Sequence, residues 1–344
     1  RAYDSCFILK YTFANSEDYV GYYPRCTFFG YRYISVTATD TVIFKNIKSI
    51  PVTSMAKSLE LGKITTGNES INKLISNTWW GQLSNYLSVP TDCPQRNERL
   101  GWTADTQVFA ETGSFFANTR TFLHKWMRDM RDSQSETGAY PGVAPFAQYG
   151  NSKMRLGWAD AGIIVPWIVW KQFADTQIVE DNWESMNRFM NHVNDTKYDH
   201  VALREENGNF QYADWLSYEA LESTSGQCWG PNGVRPEAVH YWSYLSASYW
   251  ALDATYMADM AKATGRDAAK YQQMTADAKA YIKEKFLNAD GTFKLDVLNT
   301  MQTPALFALK NGLVEGQAKA DMVARLRKNF EEHENCLQTG FLGT

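Results

Sequence analysis

The spacing of apolar residues changes once along this chain, near residue 66. From Cys6 to about Ile50 aromatic and β-branched residues alternate in short runs, and no long 3.6-residue period develops. After the turn-rich stretch from Gly62 to Asn68, apolar residues recur every three or four positions, beginning with Ile71, Leu74, Ile75, Trp79 and Leu83. The pattern predicts strands in the first part and a buried helical face at the start of the second.

Helical periodicity continues almost to the end of the chain. It predicts further helices at 105–131, 159–173, 179–194, 236–264, 267–287, 302–311 and 316–332. Gly265 suits the position that ends a helix, and Asp181 or Asp267 could cap the start of one. Loops rich in Gly, Asn, Pro and Tyr separate the helices at 133–157, 196–214 and 223–235. Loops of this length in a compact domain are more often functional than idle.

A short β part followed by many helices indicates a mainly α fold. Helix pairs joined by long loops favour an all-helical barrel whose mouth is built by those loops, with a β-sandwich docked beside it. An unrelated helical domain with long linkers is the alternative that this texture leaves open. We assign residues 1–66 to the last strands of a sandwich domain plus a linker, and residues 67–344 to the helical domain.

Composition and charge narrow the range of functions. With 344 residues and 44% hydrophobic content the chain can bury a large core. Its net charge of −4 leaves no basic surplus for phosphates, which argues against a nucleic-acid partner. The most apolar stretch, Ala161 to Trp170, is too short to cross a bilayer. Five scattered cysteines and five histidines form no CxxC or paired-His pattern, so we predict neither a metal site nor a disulfide framework.

The densest polar chemistry lies between two apolar helices, in the fourteen residues from Asp92 to Asp105. Pro94 and Gly101 break any helix there, so the side chains stand on an irregular loop. The stretch holds three carboxylates and two guanidinium groups: Asp92, Glu98, Asp105, Arg96 and Arg99. Such a loop could gather them in one pocket, although on spacing alone an ordinary capped loop with solvated ion pairs is the more frequent explanation.

These fourteen residues resemble the signature of α-L-rhamnosidases of glycoside hydrolase family seventy-eight. The resemblance continues, in the family's order, at four further segments: Phe29 to Tyr33, Leu156 to Ala161, Ala213 to Leu216 and Leu337 to Thr344. It therefore covers nearly the whole chain. The resemblance implies an (α/α)6 barrel that is incomplete at the C-terminus and preceded by the end of a β-sandwich.

The resemblance also implies roles for individual residues. Glu98 resembles the general acid that protonates the glycosidic oxygen as the bond breaks. The predicted substrate-binding residues are Asp92, Arg96, Trp102, Asp105, Trp158, Asp214 and Trp215. Asp92 and Asp105 would bind hydroxyl groups of the rhamnosyl ring, and the indoles would form the walls of the pocket. This division suits a 6-deoxy sugar, which has an apolar methyl group as well as hydroxyls.

An inverting glycosidase needs a second carboxylate, roughly 6.5 to 9.5 Å from the acid, to activate water. In the family this base is a Glu that follows the segment resembled by Leu337 to Thr344. We therefore expect the base to lie beyond Thr344 and the chain to be cut short at its C-terminal end. The last acidic residues, Glu331, Glu332 and Glu334, precede that segment and have the pattern of a solvated helix end.

The resemblance thus implies a bacterial glycoside hydrolase that removes terminal α-L-rhamnosyl residues, by single displacement, from a rhamnose-containing glycan or glycoside. One alternative is an inverting hydrolase of another sugar on the same barrel. A second is a non-catalytic carbohydrate-binding protein, which the missing base would favour. Acid and base chemistry with two carboxylates requires no cofactor. The family also suggests a periplasmic or secreted location.

Overall fold

The computed structural model describes residues 8–14, 21–147, 155, 157–195, 211–221, 228–231 and 233–344. Cys6, Leu156 and parts of the predicted loops 133–157, 196–214 and 223–235 lie outside these ranges. The chain divides into two compact units, one of residues 1–101 with 115–118 and the other of residues 102–114 with 119–344. Nine α-helices and four two-residue strands occur in the described part, which confirms the mainly α prediction.

The first unit contains one long helix, α1 (Glu69–Asn85), followed by the antiparallel pair β1 (Tyr86–Leu87) and β2 (Val89–Pro90). A short 3-10 helix, Lys57–Leu59, precedes α1. The Asn68 side chain caps α1 by accepting hydrogen bonds from the backbone N–H groups of Ser70 and Ile71 in the first turn. The helix therefore begins where its first unpaired donors find an acceptor.

Two expectations for the first unit are not met. Residues 8–14 and 21–56 form no β-strand, and Tyr33 and Ile43 on this stretch are 89% and 81% exposed. A β-branched run becomes a strand only with a hydrogen-bonded neighbour, and none is formed within these residues. The α1 face predicted to be buried is only partly covered, since Leu74 is 64% exposed while Ile75, Trp79 and Leu83 are half-buried. The sandwich assigned to residues 1–66 stays a prediction.

The second unit is built from helices. They are α2 (Thr103–Phe116, whose last two residues fall in the first unit), α3 (Arg120–Asp132), α4 (Ala161–Phe173), α5 (Gln177–Asp195), α6 (Pro236–Ala263), α7 (Ala269–Phe286), α8 (Gln302–Lys310) and α9 (Gly316–Glu332). Strands β3 (Trp229–Gly230) and β4 (Gly233–Val234) pair antiparallel before α6. A 3-10 helix, Asp296–Thr300, precedes α8.

Helix α6 is the centre of this unit and packs against α4, α5, α7 and α8. It is buried on almost every side, so its sequence is apolar without a clear period, as expected for an internal helix. The Tyr244 hydroxyl donates to the Pro304 carbonyl at 2.7 Å and ties α6 to α8. In the part of the chain that the structure describes, no helix combines the length and apolar character needed to cross a bilayer.

Helix ends follow local chemistry. Gly265 has φ +70° directly after α6, and the Asp267 carboxylate accepts from the N–H of Ala269 at the start of α7, so both predictions are confirmed. The Asp181 prediction is wrong, because Asp181 lies inside α5 and Asp175 accepts from the Gln177 N–H instead. The single helix predicted at 105–131 is two, α2 and α3, separated at residues 117–119.

Candidate active site

The acidic loop, residues 92–101, closes on itself through its first aspartate. The N–H of Asp92 donates to the Leu100 carbonyl at 2.9 Å, and the Leu100 N–H returns a bond of 2.8 Å to Asp92 Oδ1. Gly30 donates to the Pro94 carbonyl, and a Cβ at Gly30 would come within 2.6 Å of that oxygen. Only glycine fits this approach. The loop is thus held in one shape by backbone contacts together with the Asp92 carboxylate.

One guanidinium group joins the two carboxylates of this loop. Arg96 Nη2 lies 2.6 Å from Glu98 Oε2 and 3.4 Å from Asp92 Oδ2. The carboxylate side chains are only 7% (Asp92) and 16% (Glu98) exposed, whereas Arg96 is 39% exposed. Shielding from water strengthens such charge-assisted bonds and fixes the direction of the Glu98 carboxylate.

The Cys93 thiol lies beside this pair. Polar atoms of Asp92, Cys93 and Glu98 are all within 4.8 Å of one another, a spacing that could hold a cation. Burial raises the pKa of the Cys93 thiol, and the neighbouring Asp92 raises it further. Metals bind the thiolate, which this environment disfavours, and the Arg96 guanidinium already faces both carboxylates. The donor set therefore fits an ion-paired acid better than a metal centre.

An aromatic cluster, formed by Trp102, Trp158, Tyr212 and Trp215, lies in the second unit. The Tyr212 ring is its centre, with centroid distances of 5.7 Å to Trp102, 4.8 Å to Trp158 and 5.2 Å to Trp215. The Arg155 guanidinium lies 5.1 Å from the Tyr212 centroid. Trp158 is buried, and the other three rings are half-buried. Partly exposed indole and phenol faces of this kind suit the C–H face of a sugar.

Short backbone contacts position the two indoles that precede helices. Trp102 pairs with Val143 as an isolated β-bridge, and the next N–H, of Thr103, donates to the Gly142 carbonyl at 3.0 Å. Trp158 stands in a turn whose Gly157 has φ +73° and whose Gly157 N–H donates to Asp160 Oδ2 at 2.7 Å. Asp105 occupies the first turn of α2 and is half-buried.

Asp214, expected to bind sugar, is bonded to the chain itself. Its Oδ2 accepts from the Thr303 hydroxyl (2.5 Å) and the Gly340 N–H (2.8 Å), and its Oδ1 accepts from the N–H groups of Leu342 (2.8 Å) and Gly343 (2.9 Å). The residue is 2% exposed. Four donors satisfy both oxygens, which is what a buried carboxylate requires.

A second buried carboxylate, Glu219, binds α8, the helix that also carries Thr303. It accepts from the N–H of Gln302 and, at 3.3 Å, from that of Thr303, the first two residues of α8. Burial is the main cause that raises the pKa of Glu219 to about 7, and the charge of Asp214 adds to it. Burial, with the charges of Asp214 and Glu219, also raises the pKa of the adjacent Tyr241.

The structure therefore gathers six of the eight predicted residues into two sets. Asp92, Arg96 and Glu98 meet in the acidic loop, and the three predicted indoles meet around Tyr212. The sequence interpretation missed four residues: Tyr212 and Arg155, which lie with the indoles, and Thr303 and Glu219, which bond to Asp214 and to the start of α8. Tyr212 carried a signal, since it is an aromatic residue directly before the matched segment Ala213 to Leu216. The others are isolated polar residues whose partners are distant in the chain.

Comparison with known proteins finds relatives of this chain in both sequence and structure. Residues 59–344 match the family model described as bacterial alpha-L-rhamnosidase 6 hairpin glycosidase domain. The chain is 31% identical over 346 residues to an α-L-rhamnosidase of Formosa agariphila, covering 99% of this chain and 35% of that protein. It is 33% identical over 330 residues to an α-L-rhamnosidase of Streptomyces avermitilis, covering 94% and 28%. The chain thus spans about a third of the length of these curated relatives.

Solved structures agree with the sequence matches. A Streptomyces avermitilis α-L-rhamnosidase complexed with L-rhamnose is similar with a TM-score of 0.69 and 31% identity, over 81% of this chain and 24% of that chain. A native α-L-rhamnosidase from Aspergillus terreus is similar with a TM-score of 0.70 and 25% identity, over 83% and 32%.

Proposed function

The chain belongs to the bacterial α-L-rhamnosidase six-hairpin glycosidase domain family, and from that membership we propose that the protein hydrolyses terminal α-L-rhamnosyl residues with Glu98 as its general acid. The observation that carries the proposal is the Glu98 carboxylate, held 2.6 Å from Arg96 within a loop that is closed by hydrogen bonds between Asp92 and Leu100. A general acid must be oriented toward the leaving oxygen in order to protonate it.

The burial of Glu98 supports this role. At 16% exposure its side chain is largely shielded from water but still reachable by a ligand. A fully solvated carboxyl group would exchange its proton with water without being aimed at substrate. Arg96 fixes the carboxylate, and the Asp92 carboxylate, bonded to the same guanidinium, is a candidate acceptor for sugar hydroxyls.

The remaining predicted residues have side chains whose chemistry suits the recognition of a sugar. We propose that Trp102, Trp158 and Trp215 contact the apolar face and methyl group of rhamnose, and that Asp105 and Arg96 bind hydroxyls. The rhamnose-bound Streptomyces avermitilis relative supports a rhamnose-containing substrate. The periplasmic or secreted location expected from the family belongs to the same proposal, and fractionation of the native cells would test it.

We propose single displacement with inversion, in which a second carboxylate activates water while Glu98 protonates the leaving oxygen. No described acidic residue of this chain is assigned that second role. The test for inversion is the anomeric form of rhamnose released at early time, followed by proton NMR. First release of the β-anomer supports the mechanism, and first release of the α-anomer contradicts it.

The reaction and its acid are tested together with the full-length gene product. We expect hydrolysis of p-nitrophenyl α-L-rhamnopyranoside and of an alkyl α-L-rhamnoside. Glu98→Gln should lower kcat for the alkyl substrate by about 10²- to 10⁴-fold, because an alkoxide leaves only with a proton. The loss should be smaller for p-nitrophenolate, which leaves with little help. Equal losses for both substrates would contradict the acid assignment.

A matched control is Glu331→Gln, a change of the same kind on α9, where the carboxylate is exposed. It should leave both rates unchanged. Rhamnose binding without hydrolysis of either substrate by the parent would overturn the enzymatic proposal in favour of a carbohydrate-binding protein. Hydrolysis of a different aryl glycoside alone would overturn the rhamnose specificity.

A further inference from the structure

Three segments that are far apart in sequence meet at Asp214. The carboxylate binds the first turn of α8 through Thr303 and the backbone of Gly340, Leu342 and Gly343. Its partners in the last segment are more than 120 positions away. Removing one of these hydrogen bonds would leave the buried carboxylate desolvated with one donor fewer. Each bond is therefore costly to break.

The segment from Gln338 to Gly343 is fitted closely to the loop that carries Trp215. The Phe341 N–H donates to the Trp215 carbonyl at 3.0 Å, and the Tyr218 N–H donates to the Gln338 carbonyl at 2.8 Å. A Cβ at Gly340 would collide with the Trp215 carbonyl and come within 2.6 Å of the Asp214 carbonyl. The backbone of Trp215 is therefore held in place by the segment from Gln338 to Gly343.

The same segment also reaches the turn that carries Trp158. A Cβ at Gly157 would collide with the Leu342 side chain, whose N–H is held by Asp214. The segment bonded to Asp214 thus touches the backbone beneath Trp158 as well as that of Trp215. Both indoles contact the Tyr212 ring.

Glu219 anchors the other end of this loop. It accepts from the first two N–H groups of α8, which have no partner within their own helix. Negative side chains are favoured at this end of a helix by its dipole. The loop from Asp214 to Glu219 is therefore fastened at both ends to one rigid element.

We propose that Asp214 is a positioning residue that sets the distance between Trp158 and Trp215, and that sugar affinity depends on this spacing rather than on a contact of Asp214 with sugar. The inference rests on the proposed sugar-binding function of the cluster. Rings that are already held in place lose no conformational freedom when the ligand binds. This saving in entropy would raise the affinity for the sugar.

The test uses the chain with Asp214→Asn and the milder Thr303→Val, which keeps the side-chain shape and removes one donor. Thr303→Ser keeps the hydroxyl and is the matched control. We expect the Trp215 indole N–H resonance, assigned by its loss in Trp215→Phe, to shift in the first two variants only. Amide hydrogen exchange at Gly340, Leu342 and Gly343 should become at least tenfold faster, and the Kd for L-rhamnose should rise at least tenfold.

The outcomes separate the two proposals. Faster exchange with an unmoved Trp215 resonance, or with an unchanged Kd in Thr303→Val, would overturn the positioning role. A parent chain that binds no rhamnose would overturn the proposed sugar recognition, and the Trp215 resonance would still decide the positioning role. Loss of folding in Asp214→Asn leaves the decision to Thr303→Val, which removes one hydrogen bond.

Discussion

Arg96 lies 2.6 Å from Glu98 and 3.4 Å from Asp92, so one cation separates two carboxylates whose polar atoms are within 4.8 Å of each other. Without that cation the two negative charges would repel one another, and Glu98 would lose the 2.6 Å contact that helps to fix the direction of its carboxylate. The exposure of Arg96 limits what the ion pairs add to stability, because solvent screens them. The pair is therefore expected to matter more for activity than for folding.

We expect Arg96→Met to lower kcat/KM for an α-L-rhamnoside by at least tenfold, while the free energy of unfolding falls by no more than about 1 kcal/mol. Arg96→Lys should be intermediate, since an ammonium keeps the charge but not the planar fork. Steady-state kinetics and urea unfolding measure the two quantities. Lys125→Met is the control, because it breaks a 2.6 Å pair with Asp129 on α3. Equal losses of kcat/KM in Arg96→Met and Lys125→Met would contradict a specific role of Arg96 in activity.

Tyr212 offers a second test, because three indoles share its ring. Tyr212→Ala should weaken rhamnose binding at least tenfold, since aromatic pairs contribute about 0.5–1.5 kcal/mol each beyond their buried area. Tyr212→Phe keeps the ring and should bind within about twofold of the parent. Calorimetric titration with L-rhamnose measures both.

The control for Tyr212 is Tyr218→Ala, six residues along the same loop, where the side chain is 83% exposed. It should bind rhamnose as the parent does. A loss in Tyr218→Ala as large as in Tyr212→Ala would indicate a general effect of the loop rather than of the cluster.

Helices were the most predictable part of this fold. The predicted segments 236–264 and 316–332 correspond to α6 (Pro236–Ala263) and α9 (Gly316–Glu332). Pro236 and Gly265 are local signals for the ends of α6, and the apolar period is a local signal for α9. The break between α2 and α3 was missed since Asn118 and Thr119 are not strong helix breakers. There the Thr119 and Ser114 hydroxyls form a hydrogen bond of 2.7 Å, a contact that the spacing of apolar residues does not predict.

The sequence predicts contacts between the candidate site residues only where those residues are close together in the chain. Asp92, Arg96 and Glu98 lie within seven residues, so their meeting could be expected from the loop that holds them. Asp214 stands next to Trp215 in the sequence, but its hydrogen-bond partners are 89 to 129 positions away. Pairings over such separations leave no period or spacing in the sequence.

Gly340 tests the close fit of the last segment. Gly340→Ala should lower the free energy of unfolding by about 2 kcal/mol, because its methyl group would meet two backbone carbonyls that cannot rotate away. Gly81→Ala is the matched change: Gly81 lies inside α1, with nothing within 4 Å of an added Cβ. That variant should be more stable by about 0.5–1 kcal/mol, the helix preference of Ala over Gly. Urea unfolding compares them, and similar losses in both would contradict the collision.

The last prediction concerns pH and Glu219. Burial raises its pKa from 4.5 to about 7, so the folded chain holds this proton more tightly than the unfolded chain does. The contribution of Glu219 to stability is therefore fully present below about pH 4.5 and is lost as pH rises to about 7. A shift of this size corresponds to about 3 kcal/mol, on the scale of 1.36 kcal/mol per pKa unit. Glu219→Gln keeps an oxygen acceptor for the Gln302 N–H and cannot ionise.

We therefore expect the difference in unfolding free energy between Glu219→Gln and the parent to grow in favour of the variant between pH 4.5 and 7, and then to level off. Using the difference removes the contributions of groups with lowered pKa, such as Asp290. Glu332→Gln, an exposed change on α9 that faces Lys328, should run parallel to the parent at every pH. A Glu219→Gln curve that also runs parallel to the parent would mean that Glu219 ionises in the folded chain as readily as in water, and the burial argument for its raised pKa would fail.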